Sequence, residues 1–165
     1  MYRIKSTSVA DIPVIQALSE KIWPSTYQNI LTPEQLDYML DMMYSAEALT
    51  RQMTEEHHKF IILQDDKRPI GFAAYSPTGE EGVYKLHKIY LDQSYQGKGV
   101  GRFLLDTVIR QVKNLGAQTL ELNVNRYNKA RFFYEKQGFV VVGEKDIEIG
   151  NGYLMEDYIM RKTLV

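Results

Sequence analysis

The sequence predicts an α/β fold of the α+β kind, in which a mixed β-sheet carries helices on both of its faces. Segments with apolar residues at every second position alternate along the chain with segments of helical periodicity. Two pairs of strand-like segments each flank a polar turn, which is typical of antiparallel hairpins. The resulting element order is β-α-α-α-β-β-β-α-β-α-β-β.

The composition is ordinary for a globular chain. Of the 165 residues, 44% are hydrophobic and 25% are charged, which predicts one domain over 1–165 with a substantial core. The formal net charge of −1 argues against nucleic acid as a partner, since nucleic-acid-binding proteins carry a basic excess. No signal peptide or membrane-crossing apolar run is visible, so we expect a cytoplasmic protein with no membrane partner.

Cysteine is absent from the sequence. Disulfide bonds, thiol nucleophiles and thiolate metal sites are therefore excluded. His57 and His58 lie in a polar stretch beside two glutamates, but no further ligand set stands near them. We therefore expect no bound metal.

The first elements are a short strand and a capped helix. Alternation over 2–5 predicts the strand. Ser8 and Asp11 have the spacing of a capping pair, and the helix after them carries apolar residues along one side. Pro24 is expected to end this helix.

Two further helices follow an irregular aromatic loop. Thr32, Pro33 and Gln35 form a helix start, since threonine can cap, proline suits the first turn and glutamine can complete a capping box. This helix is expected to run through Met43, and the next helix to cover 46–55.

Hairpins are predicted in the middle and at the end of the chain. The strands 60–63 and 70–75 flank a polar turn, and 139–149 and 153–164 flank the glycine-rich turn 150–152. Between the hairpins, clean alternation predicts a strand over 119–124, and 128–137 reads as a short helix stopped by glycine.

The strand 83–91 is irregular. Its apolar residues Leu86, Ile89 and Leu91 cannot all share one face at a strict period of two. Either both faces of this strand are covered, or an extra residue makes a β-bulge.

Three glycines, at 97, 99 and 101, separate this strand from a strongly amphipathic helix. They suit a tight turn with close strand-to-helix packing, or a row of backbone N–H groups that binds an anion such as pyrophosphate at the helix N-terminus. Lys98 and Arg102 favour the anion site. The expected apolar stripe of the helix consists of Val100, Phe103, Leu104, Val108, Val112 and Leu115, widened by Leu105 and Ile109, and Gly116 ends the helix.

The sequence of this loop matches neither of two common nucleotide-binding patterns. The P-loop string G-x-x-x-x-G-K-[ST] is absent, and the Rossmann pattern needs a small residue where Arg102 or Leu104 stands. The segment Gln96–Gly101 instead reads Q-x-x-G-x-G. It resembles the coenzyme A pyrophosphate loop of the GNAT superfamily of acetyl-CoA-dependent N-acetyltransferases. The segment Asn128–Phe139 resembles a second family signature, N-x-A-x-x-(F/L)-Y-E-K-x-G-F.

The resemblance implies the GNAT fold, a mixed and mostly antiparallel sheet that is splayed at a bulged central strand. It also implies acetyl-CoA as co-substrate, with its pyrophosphate on the backbone N–H groups of the glycine-rich loop and its pantetheine arm along the preceding strand. The residues expected to bind it are Ile89, Tyr90, Leu91, Gln96, Gly97, Lys98, Gly99, Val100, Gly101, Arg102, Asn125, Asn128 and Lys129. Asn128 equally suits a helix cap.

Two residues are candidates for catalysis. Tyr134 stands where the family often has a tyrosine that protonates the departing thiolate, although core packing is the alternative. His87 lies near the position where related enzymes often carry a glutamate, and a histidine could take the proton of the amine there. The other interpretation is that His87 makes a structural hydrogen bond. An ordered water would then take the proton of the amine.

The acceptor is expected to be a small-molecule amine. Trp23, Tyr27, Asp37 and Asp41 combine aromatic faces with carboxylates and suit a cation, although helix packing explains part of this pattern. The helix pair and the C-terminal segment 160–165 resemble bacterial members that acetylate polyamines such as spermidine. A peptide or protein amine is the alternative acceptor, and a non-catalytic acyl-CoA or polyamine sensor is the alternative function.

Exposed strand edges in the closing hairpin predict a possible homodimer.

Overall fold

The computed structural model describes residues 1–164 as one seven-stranded sheet with helices on both faces. Val165, the last residue of the expected domain, lies outside the described residues. The strands are β1 (Tyr2–Ser6), β2 (Lys59–Asp65), β3 (Arg68–Pro77), β4 (Val83–Leu91), β5 (Thr119–Asn125), β6 (Val140–Gly150) and β7 (Tyr153–Thr163). The helices are α1 (Ile12–Tyr27), α2 (Pro33–Tyr44), α3 (Ala46–Thr54), α4 (Val100–Asn114) and α5 (Ala130–Lys136). None of these helices is long and apolar enough to span a membrane.

The sheet has the order β1-β2-β3-β4-β5-β7-β6. Its neighbouring strands are antiparallel except for β4 and β5, which are parallel. The expectation of a mixed, mostly antiparallel sheet is therefore confirmed. β6 forms one edge of the sheet and exposes Val140, Val141 and Val142. The homodimer stays a prediction.

A β-bulge interrupts β4. Ala74 of β3 is opposite Lys88, and the next residue, Tyr75, is opposite Leu86, so that His87 is the extra residue. The bulge allows Leu86, Ile89 and Leu91 to pack on one face of the sheet, against the core that α4 covers. Of the two explanations for this strand, the bulge is confirmed.

Beyond the bulge, β4 and β5 separate. Their parallel pairing extends from Val83 and Thr119 to Leu86 and Leu122 only. β5 continues beside β7 as far as Asn125, while β4 remains paired with β3. The two carboxyl ends therefore diverge and leave a V-shaped opening in the middle of the sheet, as the resemblance implies.

The two faces of the sheet carry separate cores. α4 and α5 cover one face, and α1, α2 and α3 cover the other. The expected stripe of α4 is partly wrong, because Phe103 is 40% exposed and Leu115 is 57% exposed, whereas Leu105 is buried. The buried stripe is thus rotated toward Leu105.

Pro24 does not end α1, which continues to Tyr27. Proline removes the hydrogen bond to the carbonyl of Glu20, but both residues lie on the exposed side of the helix, where water can replace that bond. The continuation keeps Tyr27 in the core with Trp23, whose ring centroid lies 4.7 Å away.

The helix start at Thr32 is confirmed in part. Thr32 Oγ1 accepts a hydrogen bond from the Gln35 backbone N–H at 3.2 Å, and Pro33 occupies the first turn. The Gln35 side chain does not return to the cap. It donates instead to the Leu154 carbonyl oxygen at 3.4 Å and thereby ties α2 to β7.

Asp92 fixes the start of the loop that follows β4. Its carboxylate accepts hydrogen bonds from Lys21 Nζ at 2.6 Å and from the Ser94 backbone N–H at 3.0 Å. Burial opposes ionisation of Asp92, but these hydrogen bonds outweigh it and lower the pKa below the ordinary 3.8. The stabilisation is therefore present above pH 3.8 and is lost as the pH falls through the lower pKa of the folded state.

We expect Asp92→Asn to lower the free energy of unfolding at pH 7 by about 2 kcal/mol, since hydrogen bonds to a charged group are lost. The difference from the wild type should shrink below pH 3.8. Urea denaturation at pH 7 and at pH 3 measures both effects. Asp106→Asn is the matched control, because the exposed Asp106 pairs only with Arg102, at 3.7 Å. Equal stability of Asp92→Asn and wild type at pH 7 would contradict this role.

Candidate functional site

A cleft of about 1050 Å³ occupies the opening between β4 and β5. It brings together most of the predicted site residues, which come from α1, β4, the glycine-rich loop, β5 and α5. Those that line it are Trp23, Tyr27, His87, Ile89, Tyr90, Leu91, Gln96, Gly97, Gly99, Gly101, Arg102, Asn125, Asn128, Lys129 and Tyr134. Lys98, Val100, Asp37 and Asp41 do not line the cleft.

The four residues outside the cleft have other environments. Lys98 is exposed, and its Nζ lies 5.7 Å from the centre of the Tyr95 ring. Val100 is buried in the core beneath α4. Asp37 and Asp41 are exposed on α2.

The glycine-rich loop has the backbone that an anion site requires. Gly97 and Gly99 have φ angles of +78° and +77°, which are strongly unfavourable for residues other than glycine. Gly99 is the N-cap of α4, so the first backbone N–H groups of the helix, which have no partner within it, point out of its N-terminus. The N-terminus of a helix favours a bound phosphate through these N–H groups and the helix dipole.

Gly101 keeps space open beside this N-terminus. A Cβ atom there would meet Phe133 Cζ at 3.9 Å and Leu91 Cδ2 at 4.0 Å, and both are ordinary contacts. Protein packing therefore does not require glycine at 101. The space that a methyl group would fill at residue 101 allows a pyrophosphate to approach the backbone closely.

The free edge of β4 completes the cofactor side. Ile89 and Leu91 line the cleft beyond the point where β4 leaves β5. Their edge-facing backbone groups can pair with an extended chain that carries amides, by addition of a strand. The residues present thus suit both the pyrophosphate and the pantetheine arm of coenzyme A.

Tyr134 lies on α5 and lines the cleft. The residue is 8% exposed, and its ring packs edge-on against Phe133 and Phe139, with centroids 5.5 and 5.8 Å away. Burial raises the pKa of Tyr134 well above its ordinary value. The phenol therefore stays protonated at physiological pH and is available as a proton donor.

The two asparagines of the β5–α5 connection make structural hydrogen bonds. Asn128 Oδ1 accepts from the Ala130 backbone N–H at 2.9 Å, but the N-cap of α5 is Lys129, so Asn128 supports the turn before the helix and is not its cap. Asn125 Oδ1 accepts from the Tyr127 backbone N–H at 2.9 Å. Both residues also line the cleft.

His87, the bulge residue, is held by its neighbours. Its Nε2 is 2.7 Å from Ser76 Oγ, and its ring stacks on His58 with centroids 3.9 Å apart. Burial, then the charges of His58, Lys85 and Lys88, lower the pKa of His87 to about 2. The imidazole is therefore neutral and weakly basic, which favours the structural interpretation over the base.

We expect His87→Gln to keep kcat within about threefold of the wild type, because loss of a catalytic base slows a reaction by about 10²-fold or more. Steady-state thiol release measures kcat, and thermal denaturation checks the fold. A folded variant slowed by that amount would restore His87 as the base.

An aromatic cluster forms the opposite wall of the cleft. Tyr27 Oη lies 3.0 Å from Tyr90 Oη, and the Trp23 ring is 5.6 Å from that of Tyr90. Nearby, the buried Lys88 donates to Gln52 Oε1 at 2.7 Å, and burial lowers its pKa to about 8. The ammonium group of Lys88 lies beside this wall and repels a second cation. The ammonium group of an acceptor therefore needs an anionic partner elsewhere in the cleft.

Two carboxylates among residues 1–164 line the cleft, Glu56 and Asp157. The sequence analysis singled out neither. For Asp157 a signal exists, because it lies between the apolar Met155 and Ile159 in an alternating pattern. An acidic residue at such a position is a candidate for function.

Comparison with known proteins agrees with this geometry. A family model described as an acetyltransferase (GNAT) domain matches residues 27–162. A solved structure of PaiA N-acetyltransferase from Thermoplasma acidophilum in complex with coenzyme A superposes with a TM-score of 0.82 at 26% identity and covers 99% of each chain.

Two curated relatives are similar to different extents. The chain is 27% identical over 158 residues to a spermidine N(1)-acetyltransferase of Thermoplasma acidophilum, covering 93% of this chain and 94% of that protein. It is 40% identical over 84 residues to a [ribosomal protein bS18]-alanine N-acetyltransferase of Haemophilus influenzae, covering 51% of this chain and 56% of that protein.

Proposed function

The chain belongs to the GNAT acetyltransferase family, and we propose that it transfers the acetyl group of acetyl-CoA directly to a primary amine, with a polyamine as the acceptor. One observation supports this most strongly. The glycine-rich N-terminus of α4, the free edge of β4 and Tyr134 all line one cleft in the splayed sheet.

The cofactor side of the cleft binds and orients. The backbone N–H groups from Gly97 to Arg102 would hold the pyrophosphate, and Ile89–Leu91 would align the pantetheine arm. Acetyl-CoA supplies an activated thioester carbonyl when bound. Because the sequence contains no cysteine, transfer through an acetyl-cysteine is excluded, and the amine attacks in a ternary complex.

Tyr134 acts on the leaving group. Its phenol gives a proton to the thiolate as the carbon–sulfur bond breaks. Burial between Phe133 and Phe139 fixes the ring, so that the proton is delivered from a defined position.

The polyamine acceptor is supported by similarity along almost the whole chain to a spermidine N(1)-acetyltransferase. The rings of Trp23, Tyr27 and Tyr90 on the acceptor wall suit a cationic chain. A peptide amine is the second candidate, favoured by the shorter match to a ribosomal-protein alanine acetyltransferase.

Mass spectrometry of the products decides between these acceptors. The purified protein is incubated with acetyl-CoA and, separately, with spermidine, spermine, a simple diamine, a peptide that begins with alanine and a lysine peptide. We expect acetylated polyamine at low substrate concentration and no acetylated peptide. Acetylation of the peptide alone would overturn the polyamine acceptor, and no product with any amine, despite saturable acetyl-CoA binding, would favour the sensor.

A further inference from the structure

Asp157 lies on β7 at the open side of the splayed sheet. It is opposite Asn125 of β5, it is 3% exposed and it lines the cleft. Met155, two residues earlier on the strand, packs against the core beneath α1 and α2, together with Tyr27. Since residues i and i+2 of a strand share a face, Asp157 points to the same side of the sheet as Tyr27.

This carboxylate has no cationic partner of its own. Asp92 and Asp157 are the two buried acidic residues of the chain up to Leu164. Asp92 has Lys21 Nζ at 2.6 Å, whereas Asp157 takes part in none of the ion pairs within 4.0 Å that this part of the chain forms. A buried carboxylate is costly to leave unpaired, so its retention in a ligand cleft points to a cation supplied by the ligand.

The charges around Asp157 agree with this role. Burial raises its pKa, and the more distant cations Lys85 and Arg126, together with a hydrogen bond from the Asn123 side chain, offset this only in part. Burial also raises the pKa of Tyr27, and the nearby charge of Asp157 raises it further. Asp157 thus lies close to the aromatic wall and is more basic than an ordinary carboxylate.

We infer that Asp157 is the residue that binds the ammonium group of the acceptor and takes its first proton. The inference rests on the proposed function and assigns an acceptor subsite within the cleft, which Asp37 and Asp41 do not line. A charge-assisted hydrogen bond to the carboxylate would hold the ammonium beside the thioester, with its carbon chain along the rings of Tyr27 and Tyr90.

The proton balance of the reaction is complete with Asp157 and Tyr134. Asp157 takes one proton from the ammonium, and the freed amine forms the carbon–nitrogen bond while the carbon–sulfur bond breaks. Tyr134 gives its proton to the departing thiolate, and the second proton lost by the nitrogen restores the phenol. Asp157 releases the first proton to solvent. The products are the acetamide, the free thiol and one proton.

Asp157→Asn tests this inference, because it removes the charge and keeps the shape. Calorimetric titration of spermidine into the protein saturated with coenzyme A should show an affinity about tenfold to 10²-fold weaker than that of the wild type. With spermidine as the varied substrate, kcat/KM should fall by about 10²-fold or more. Asp66→Asn, at an exposed carboxylate in the turn between β2 and β3 and outside the cleft, should change neither value by more than about twofold.

Two further readouts separate this role from a structural one. Coenzyme A should bind to Asp157→Asn as it does to the wild type, which shows that the cleft is intact. Asp157→Ala should regain at least about tenfold in rate with added formate, since a small carboxylate can replace the missing base.

The outcomes for the inference and for the proposed function differ. Wild-type spermidine affinity and turnover in Asp157→Asn would overturn the inference and leave the acetyltransferase intact. A wild type that binds spermidine through Asp157 but releases no thiol would support the ammonium subsite and overturn the proposed transfer. A wild type that neither binds nor acetylates spermidine would contradict both.

Discussion

Tyr134→Phe is expected to turn over about 10²- to 10³-fold more slowly than the wild type, with unchanged affinity for acetyl-CoA. The variant loses only the hydroxyl. Its ring can keep the edge-on contacts with Phe133 and Phe139, so the core and the cofactor side of the cleft stay as they are. Steady-state thiol release measures kcat, and calorimetric titration measures acetyl-CoA affinity.

Tyr127→Phe is the matched control for this experiment. Tyr127 is exposed, lies in the β5–α5 connection seven residues before Tyr134 and does not line the main cleft. The same chemical change at 127 should leave kcat unchanged within about twofold. A Tyr134→Phe variant with wild-type kcat would show that another group, or water, protonates the thiolate.

Gly101→Ala should have opposite effects on stability and on binding. An added methyl group would meet no protein atom closer than 3.9 Å, and alanine favours the helix more than glycine does. The melting temperature should therefore rise by about 1 to 4 °C. The same methyl group fills space beside the N-terminus of α4, so acetyl-CoA affinity should fall by about tenfold to 10²-fold as hydrogen bonds to the pyrophosphate are lost.

Gly116→Ala is the counterpart of this variant. Gly116 follows α4 with a φ of +98°, and it lies outside the cleft. Alanine in that conformation costs about 1 to 2 kcal/mol, so the melting temperature should fall while acetyl-CoA affinity stays unchanged. If Gly101→Ala binds acetyl-CoA as tightly as the wild type, the pyrophosphate does not lie beside residue 101.

The features that could be predicted from the sequence are those with local causes. The misfit of Leu86, Ile89 and Leu91 to strict alternation pointed to a β-bulge, and the bulge is at His87. The glycines at 97 and 99 indicated a backbone that other residues disfavour, and both have positive φ angles. In each case a short segment carries the whole signal.

Other features depend on tertiary contacts that a local pattern does not contain. Pro24 stays inside α1 because it lies on the exposed side of the helix, where water can replace the lost backbone hydrogen bond. His87 looked like a base by position, but burial and the stacked His58 make it a weak one. The acidic residues of α2 were prominent in the sequence and lie outside the cleft.

The carboxylate at 157 shows the reverse case. It lies on a strand 23 residues after Tyr134, and no spacing links the two positions. Only the pairing of β7 with β5 brings Asp157 opposite Asn125 and into the cleft. The position of Asp157 in the cleft therefore depends on strand pairing, whereas the conformation of the glycine-rich loop depends on one continuous segment.

The most direct test of the account is the initial rate of thiol release by the wild-type protein, with acetyl-CoA and spermidine both varied. We expect saturation in each substrate and intersecting lines in the double-reciprocal plot, because the amine attacks within a ternary complex. Parallel lines would contradict direct transfer. Thiol release that does not depend on the amine would contradict an acceptor site in the cleft.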